Sequence, residues 1–133
     1  MAPFASTVGN SLVFNLDVGP PAQVVDLAID PVGLISRGTV TFHGTVSCSA
    51  ESTLGSVVVA ELNQSTGSKE ALGVGFLDVE GCPFTELPFA IEVPSEVRKF
   101  KAGPAAGHFI YAACNDFECG NKDIDLAVLL EER

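Results

Sequence analysis

Apolar and polar positions alternate along most of this chain, and a two-residue period predicts β-strands with one face in a core. The clearest case lies within residues 30–48, DPVGLISRGTVTFHGTVSC, after a turn at Asp30–Gly33 and a second break at Gly38. The side chains expected to face inward on this strand are Val40, Phe42, Val46 and Cys48. Because the last of them is a cysteine, we expect the strand to be bonded covalently to a neighbour.

Seven further runs show the same alternation and are separated by turn signals. They are residues 11–18, 22–30, 54–64, 71–79, 87–93, 103–114 and 124–130. Residues 65–68, Ser-Thr-Gly-Ser, predict a hairpin between the runs on either side. No window carries a sustained helical period. About eight short strands with these turns are typical of an all-β sandwich.

Two glycines mark one of these strands as unusual. Gly73 and Gly75 lie on the same face of the run 71–79. A glycine within a strand weakens it and indicates a bulge, a close approach of another backbone, or an edge position. The sequence leaves these three alternatives open.

Composition limits the class of protein. A chain of 133 residues is expected to form one domain, residues 1–133, around a single core. Although 47% of residues are hydrophobic, no uncharged apolar run approaches the roughly 18 residues of a membrane helix. The chain has 17 acidic and 7 basic residues, which gives a net charge of −10. Such a charge repels nucleic acid and anionic membranes, so we expect neither as a partner.

Four cysteines indicate two disulfides and export to an oxidising compartment. None forms a Cys-x-x-Cys pair, which argues against a zinc site. We expect the pairs Cys48–Cys82 and Cys114–Cys119, with a Cys48–Cys114 bridge between sheets as the rival. Chain entropy gives roughly 2 kcal/mol for the short loop and about 4 kcal/mol for the long one. Since residues 1–4 do not resemble a signal peptide, the signal is presumed to have been removed.

Residues 30–48 also carry a family resemblance, together with residues 100–106, FKAGPAA. The stretch 24–114 resembles small secreted actinobacterial domains of unknown function. These combine an Asp-Pro-x-Gly turn, a Gly-Thr-x-Thr-x-x-Gly-Thr-x-x-Cys strand and a second cysteine some thirty residues on, which Cys48 and Cys82 match. Their tryptophan after the second cysteine is missing here; the nearby aromatic residues are Phe84 and Phe89. The resemblance implies a single immunoglobulin-like antiparallel β-sandwich of seven or eight strands.

A second resemblance concerns architecture more than motif. The apoproteins of neocarzinostatin-type enediyne antibiotics are small, acidic, secreted immunoglobulin-like sandwiches with two disulfides. One of their disulfides encloses four residues before the last strand, as Cys114 and Cys119 would here. Their other disulfide closes a much shorter loop than Cys48–Cys82. This resemblance raises an apolar ligand cleft as a possibility for this chain.

The sequence offers few groups for chemistry. His43 and His108 each stand alone within a strand, and we interpret both as structural residues. No nucleophile elbow, phosphate loop or metalloprotease motif occurs, so we expect no catalytic residues, no cofactor and no enzyme. Four carboxylates crowd the last hairpin and could bind Ca²⁺ weakly, although surface carboxylates are the favoured interpretation. These carboxylates belong to Asp116, Glu118, Asp123 and Asp125.

Three hypotheses for function follow. The first is a non-catalytic secreted or surface-associated binding or structural module with an unknown protein partner. The second is a monomeric carrier of an apolar small molecule, in a cleft near Cys114–Cys119 and the Gly73/Gly75 strand. The third is a subunit that exchanges residues 1–19, an apolar strand or tail before the hinge Gly19-Pro20-Pro21, with another copy. A concave apolar pocket would favour the second hypothesis over the first.

Overall fold

The structure, a computed structural model, describes residues 25–48, 55–79, 86–114 and 119–133. These ranges contain eight strands and no helix. The strands are β1 (Val25–Ile29), β2 (Val32–Ser36), β3 (Thr39–Cys48), β4 (Ser56–Thr66), β5 (Lys69–Val79), β6 (Leu87–Val97), β7 (Gly103–Cys114) and β8 (Cys119–Glu132). A search of the same ranges for a helix able to span a membrane found none. The tail 1–19, Cys82, Asp116 and Glu118 lie outside the described residues.

Long antiparallel ladders arrange the strands in two groups. β3 pairs with β6 on one side, and β1 and β2 share its other side. The second group has the order β5, β4, β7, β8. Two short ladders then join the groups. β5 pairs with β6 at Leu72–Val97 and Gly73–Ser95, and β2 pairs with β8 from Val32–Leu129 to Ile35–Glu132.

The two short ladders show that one part of the fold prediction, the open sandwich, was wrong. The all-β class and the number of strands are confirmed, but the expected open sandwich is closed into a seven-stranded barrel by the two short ladders. The β2–β8 ladder is parallel, which the prediction of wholly antiparallel pairing did not anticipate. Just before this ladder, the Pro31 carbonyl accepts a hydrogen bond from the Leu129 amide at 2.9 Å. The strand β2 therefore lies between β3 and β8 and pairs with both.

The strand β2 lies where the sequence predicted a turn. The second predicted break, at Gly38, is confirmed as the two-residue loop Arg37-Gly38, where φ is +55° and +81°. Positive φ at both positions matches the twist of the flanking strands and gives a tight hairpin between β2 and β3. Gly33 faces inward on β2, and a Cβ there would meet the Phe42 ring at 2.8 Å. Glycine at this position therefore makes room for one of the largest core side chains.

The hydrophobic core lies inside the barrel. Its largest fully buried side chains are Tyr111, Phe42, Phe109, Ile91, Leu130, Val40, Val46, Val58 and Val93. The rings of Phe42 and Phe109 meet edge to face, with centroids 5.1 Å apart and planes at 76°. The inward positions predicted for β3 are confirmed, since all four side chains are buried. Leu87, the first residue of β6, is 38% exposed.

Gly73 and Gly75 allow β6 to approach β5. A Cβ at either position would collide with a backbone carbonyl of β6, that of Pro94 or of Glu92. The register between the strands also shifts at Leu72/Gly73. Both the bulge and the close backbone approach are therefore confirmed, whereas β5 is paired on both sides and is not an edge. The hairpin between β4 and β5 is confirmed too, with a shorter loop of Gly67 and Ser68.

A disulfide closes the hairpin of β7 and β8. Cys114 and Cys119 are opposite each other in the ladder, with an S–S distance of 1.98 Å and Cα atoms 4.0 Å apart. This bond excludes the rival Cys48–Cys114 bridge. Cys48 is itself disulfide-bonded, and its sulfur accepts a hydrogen bond from the Tyr111 hydroxyl at 3.3 Å. Its pairing with Cys82 stays a prediction, since Cys82 is outside the described residues.

Candidate ligand cleft

An open cleft of about 700 Å³ lies on the outer face of the barrel, across β5, β4, β7 and β8. Strand register places two cross-strand rows of outward side chains in it. The first row is Val74, Glu61, His108 and Asp125. The second row is Leu72, Asn63, Ala106 and Ala127. One row is therefore rich in charge, and the row beside it is mostly apolar.

Small side chains make the concavity. Ala106 and Ala127 stand next to each other in the second row, where longer side chains would fill the space. Leu72, which is 38% exposed, and Val74 continue the apolar floor onto β5. Glu96 lines the cleft from β6, where it falls between the two paired residues Ser95 and Val97 at the bulge. The same bulge that brings β6 close to β5 thus supplies a carboxylate to the cleft wall.

His108 is held by two carboxylates of β8. Its Nδ1 lies 2.6 Å from Oδ1 of Asp125, and its Nε2 lies 2.6 Å from Oδ1 of Asp123. Both nitrogens can donate at once only when the imidazole is doubly protonated. The hydrogen bond to Asp125 raises the pKa of His108 above 6.5; partial burial opposes this, and the charges of Asp123, Asp125 and Glu61 add to it.

The arrangement limits what His108 can do chemically. A general base needs a ring nitrogen that is free to accept a proton from the substrate. Here each nitrogen faces a carboxylate, and the raised pKa favours the protonated ring. His108 is therefore suited to joining β7 to β8 and to placing a neutralised positive charge at the cleft, rather than to catalysis.

The sequence analysis missed these partners of His108. His108 lies six residues before Cys114, and Asp125 lies six residues after Cys119. Opposite residues in an antiparallel hairpin are equally distant from its closing pair. The predicted disulfide therefore contained the signal that would have placed His108 opposite Asp125. His108 does stand alone within its own strand, and its two partners lie on the neighbouring strand β8.

The other candidate residues are dispersed or only partly described. His43 is exposed on β3 opposite Ala90, and its carbonyl accepts a hydrogen bond from the Asp30 amide at 2.8 Å. Asp123 and Asp125 face His108. Within the ranges that the structure describes, no group of three metal-ligating side chains converges. Weak Ca²⁺ binding stays a prediction, which an unchanged melting temperature in millimolar Ca²⁺ would contradict.

Apolar side chains continue beyond the cleft along β5. Phe76 is 72% exposed and lines a second outer groove of about 530 Å³ across β3, β6 and β5. Val74 lines both this groove and the cleft. The cleft includes the Gly73/Gly75 strand, where the carrier hypothesis placed it, whereas neither Cys114 nor Cys119 lines it.

Within the described residues, the first part of β8 has an open edge. On its side away from β7, β8 is paired with β2 only from Leu129 to Glu132, and no described strand pairs with the preceding residues. Ile124 and Leu126 face the core there, yet they are only half-buried, whereas Val128 and Leu130 are buried. The inward side chains of β8 are thus more exposed near the start of the strand than near its end.

Comparison with known proteins adds little. No family model and no curated protein matches the chain. Among solved structures, the chain is similar to AggA, the major subunit of aggregative adherence fimbriae type I from Escherichia coli. The TM-score is 0.41 at 10% sequence identity, over 85% of this chain and 97% of that chain. At this level the similarity carries no argument about function.

Proposed function

We propose that this protein is a non-catalytic, exported binding module that holds a ligand with an apolar body in the outer cleft. The observation that carries the proposal is the cleft itself, about 700 Å³ with a floor of Leu72, Val74, Ala106 and Ala127. Ligand sites of proteins have volumes of about 300–1,000 Å³ and mostly apolar linings. A concave apolar surface favours the carrier hypothesis over a module with flat faces.

Two further observations support the proposal. The Cys114–Cys119 disulfide is typical of proteins in oxidising compartments, which supports export. Both ring nitrogens of His108, which lines the cleft, already contact carboxylates. This supports a role of the cleft in binding rather than in catalysis.

Titration with Nile red, a neutral apolar dye that fluoresces in apolar surroundings, tests the proposal. We expect A106W to abolish dye binding, because an indole would fill the space above the floor. A28W is the matched control, since Ala28 is exposed on β1 and does not line the cleft. Equal dye binding by both variants would refute the cleft as the site. Native mass spectrometry of the purified chain would show any ligand that is retained.

A second candidate function is assembly by strand exchange, and the open edge of β8 favours it. Residues 11–18 alternate in polarity, with Leu12, Phe14, Leu16 and Val18 on one face. A strand of this pattern could pair with the open edge and cover Ile124 and Leu126. The simpler alternative is that residues 11–18 close the sheet of their own chain.

Sedimentation separates these alternatives. If copies exchange this strand, the full chain forms oligomers at high concentration, and deletion of residues 1–19 abolishes them. If the segment closes its own sheet, the full chain is monomeric and the deletion lowers stability instead. A monomer that is unaffected by the deletion would exclude a role of this segment in assembly.

A further inference from the structure

We infer that the ligand of the cleft is a cationic amphipathic small molecule, in which an amine or guanidinium group is attached to an apolar body. The inference rests on the proposed function, and it adds the chemical class of the ligand. It is carried by the position of two carboxylates beside the apolar floor, those of Glu61 and Glu96, which form no salt bridge with any described residue.

The charge of the cleft is strongly one-sided. Among the described residues, three carboxylates line it, from Glu61, Glu96 and Asp125, and the only basic lining residue is His108. The charge of His108 is already matched by its contacts with Asp123 and Asp125. Within the described residues, neither Glu61 nor Glu96 forms a salt bridge. The described lining of the cleft therefore carries more negative than positive charge.

The geometry places this charge next to the apolar floor. Glu61 lies between Val74 and His108 in its row, and the adjacent row begins at Leu72 and ends at Ala127. Glu96 stands at the β6 wall, beside Leu72 and Gly73. An apolar body on the second row would thus hold an attached cation close to Glu61 or Glu96. An anionic ligand of the same shape would be repelled by both carboxylates.

A small molecule fits better than a second copy of this chain. The net charge of −10 makes two copies repel each other at long range. The 7 basic residues, which include the exposed cluster Arg98, Lys99 and Lys101, are too few against 17 acidic ones to reverse that repulsion. A small cation with an apolar body has no such penalty and is attracted to the whole protein.

Two probes that share one fluorophore test the charge preference. Dansylcadaverine carries a cationic amine, and dansylglycine carries a carboxylate. We expect the full chain at low salt to bind dansylcadaverine at least about tenfold more tightly, with a preference that decreases as salt is added. In the variant E61Q/E96Q we expect binding of the amine to weaken by about two- to fivefold per removed carboxylate. E70Q/E131Q is the control, because it removes the same charge from exposed positions outside the cleft lining.

The outcomes separate the two proposals. Equal binding of both probes, lost in A106W, would keep the cleft as a binding site and refute its preference for cations. A preference that E61Q/E96Q and E70Q/E131Q reduce equally would also refute it, because net charge would then explain the effect. No binding of either probe or of Nile red would refute the proposed function together with this inference.

Discussion

Gln64 gives the sharpest test of how the strands around the cleft are held in place. Its side chain is 2% exposed inside the barrel at the end of β4. The amide Nε2 donates to the carbonyls of Lys101, at 2.7 Å, and Pro104, at 3.3 Å, and Oε1 accepts from the Lys101 amide at 2.9 Å. These three hydrogen bonds fix the segment that leads into β7. The orientation of the amide follows from its partners, because only the NH₂ group can donate to two carbonyls.

The expected cost of Q64M follows from these contacts. Methionine has a similar length and no donor, so the substitution removes all three hydrogen bonds and leaves a small change in volume. A buried hydrogen bond contributes about 0.5–1.5 kcal/mol net, and more when its partner is left without a replacement. Three bonds therefore predict a loss of about 3 kcal/mol. This is a large fraction of the 5–15 kcal/mol that is typical of a domain.

Urea unfolding with the disulfides intact measures this loss. S65M is the matched control, because Ser65 is the next residue on β4 and is exposed; we expect it to change the free energy of unfolding by less than about 0.5 kcal/mol. Hydrogen exchange of the Lys101 amide provides a local readout, and its protection should decrease in Q64M. If Q64M lowers stability by less than about 1 kcal/mol, the reasoning from hydrogen-bond loss is wrong.

Three further predictions concern other parts of the barrel. Because the folded pKa of His108 is raised, its contact with Asp125 stabilises the fold below pH 6.5, and this contribution is lost as the pH rises through the folded pKa. The difference in stability between wild type and H108Q should therefore decrease as the pH rises from below 6.5 through the raised pKa of His108, and a constant difference would contradict the assignment. A double-mutant cycle of F42L and F109L should give a coupling energy of about 0.5–1.5 kcal/mol in urea unfolding, and none if the edge-to-face contact is unimportant. G75A should lower stability by about 1–3 kcal/mol, since its Cβ would meet a β6 carbonyl; an unchanged melting temperature would show that the strands can separate freely.

Alternation along the chain predicted most strands because it is a local property. On β3 and β4 each inward position follows from the residue two places before it, and the burial of Val40, Phe42, Val58 and Leu62 agrees with that period. The strand β2 escaped prediction because it is short, contains Gly33 and lies next to Pro31. A brief run with these two residues resembles a turn.

Closure of the barrel depends on strands that are distant in sequence. The ladder between β3 and β6 joins residues about fifty positions apart, from Thr39–Pro94 to Val46–Leu87. The parallel ladder joins residues almost a hundred positions apart, such as Val32 and Leu129. Nothing in the alternation of a single strand specifies such partners. The sequence could therefore predict the strands and their faces, but not the order that turns a sandwich into a barrel.

Only part of the cleft could be predicted for the same reason. The hairpin of β4 and β5 was expected from its turn signal, and the hairpin of β7 and β8 from the spacing of Cys114 and Cys119. The pairing of β4 with β7, which brings Glu61 beside His108 and Asn63 beside Ala106, is not local. The cleft exists only after this pairing forms, because each of its rows crosses from one hairpin to the other.

The strand β5 departs from the rule that a strand buries its larger apolar side chains. Gly73 and Gly75 face the interior, whereas Leu72 and Phe76 face outward and are 38% and 72% exposed. The glycines are explained by the close approach of β6. Exposed apolar side chains contribute little to stability because they are not buried in the core. An apolar outer surface is a common feature of binding sites. We infer that the outward face of β5 serves binding rather than folding.

This inference predicts different effects for two matched substitutions on β5. L72S and F76S should each lower the free energy of unfolding by about 1 kcal/mol or less, because both side chains are substantially exposed. L72S should weaken Nile red binding, since Leu72 forms part of the cleft floor, while F76S should leave cleft binding intact because Phe76 lines only the neighbouring groove. Equal weakening by both would place the ligand along the whole of β5. A large loss of stability in either variant would instead show that these side chains serve the fold, and the argument for an outward binding face would fail.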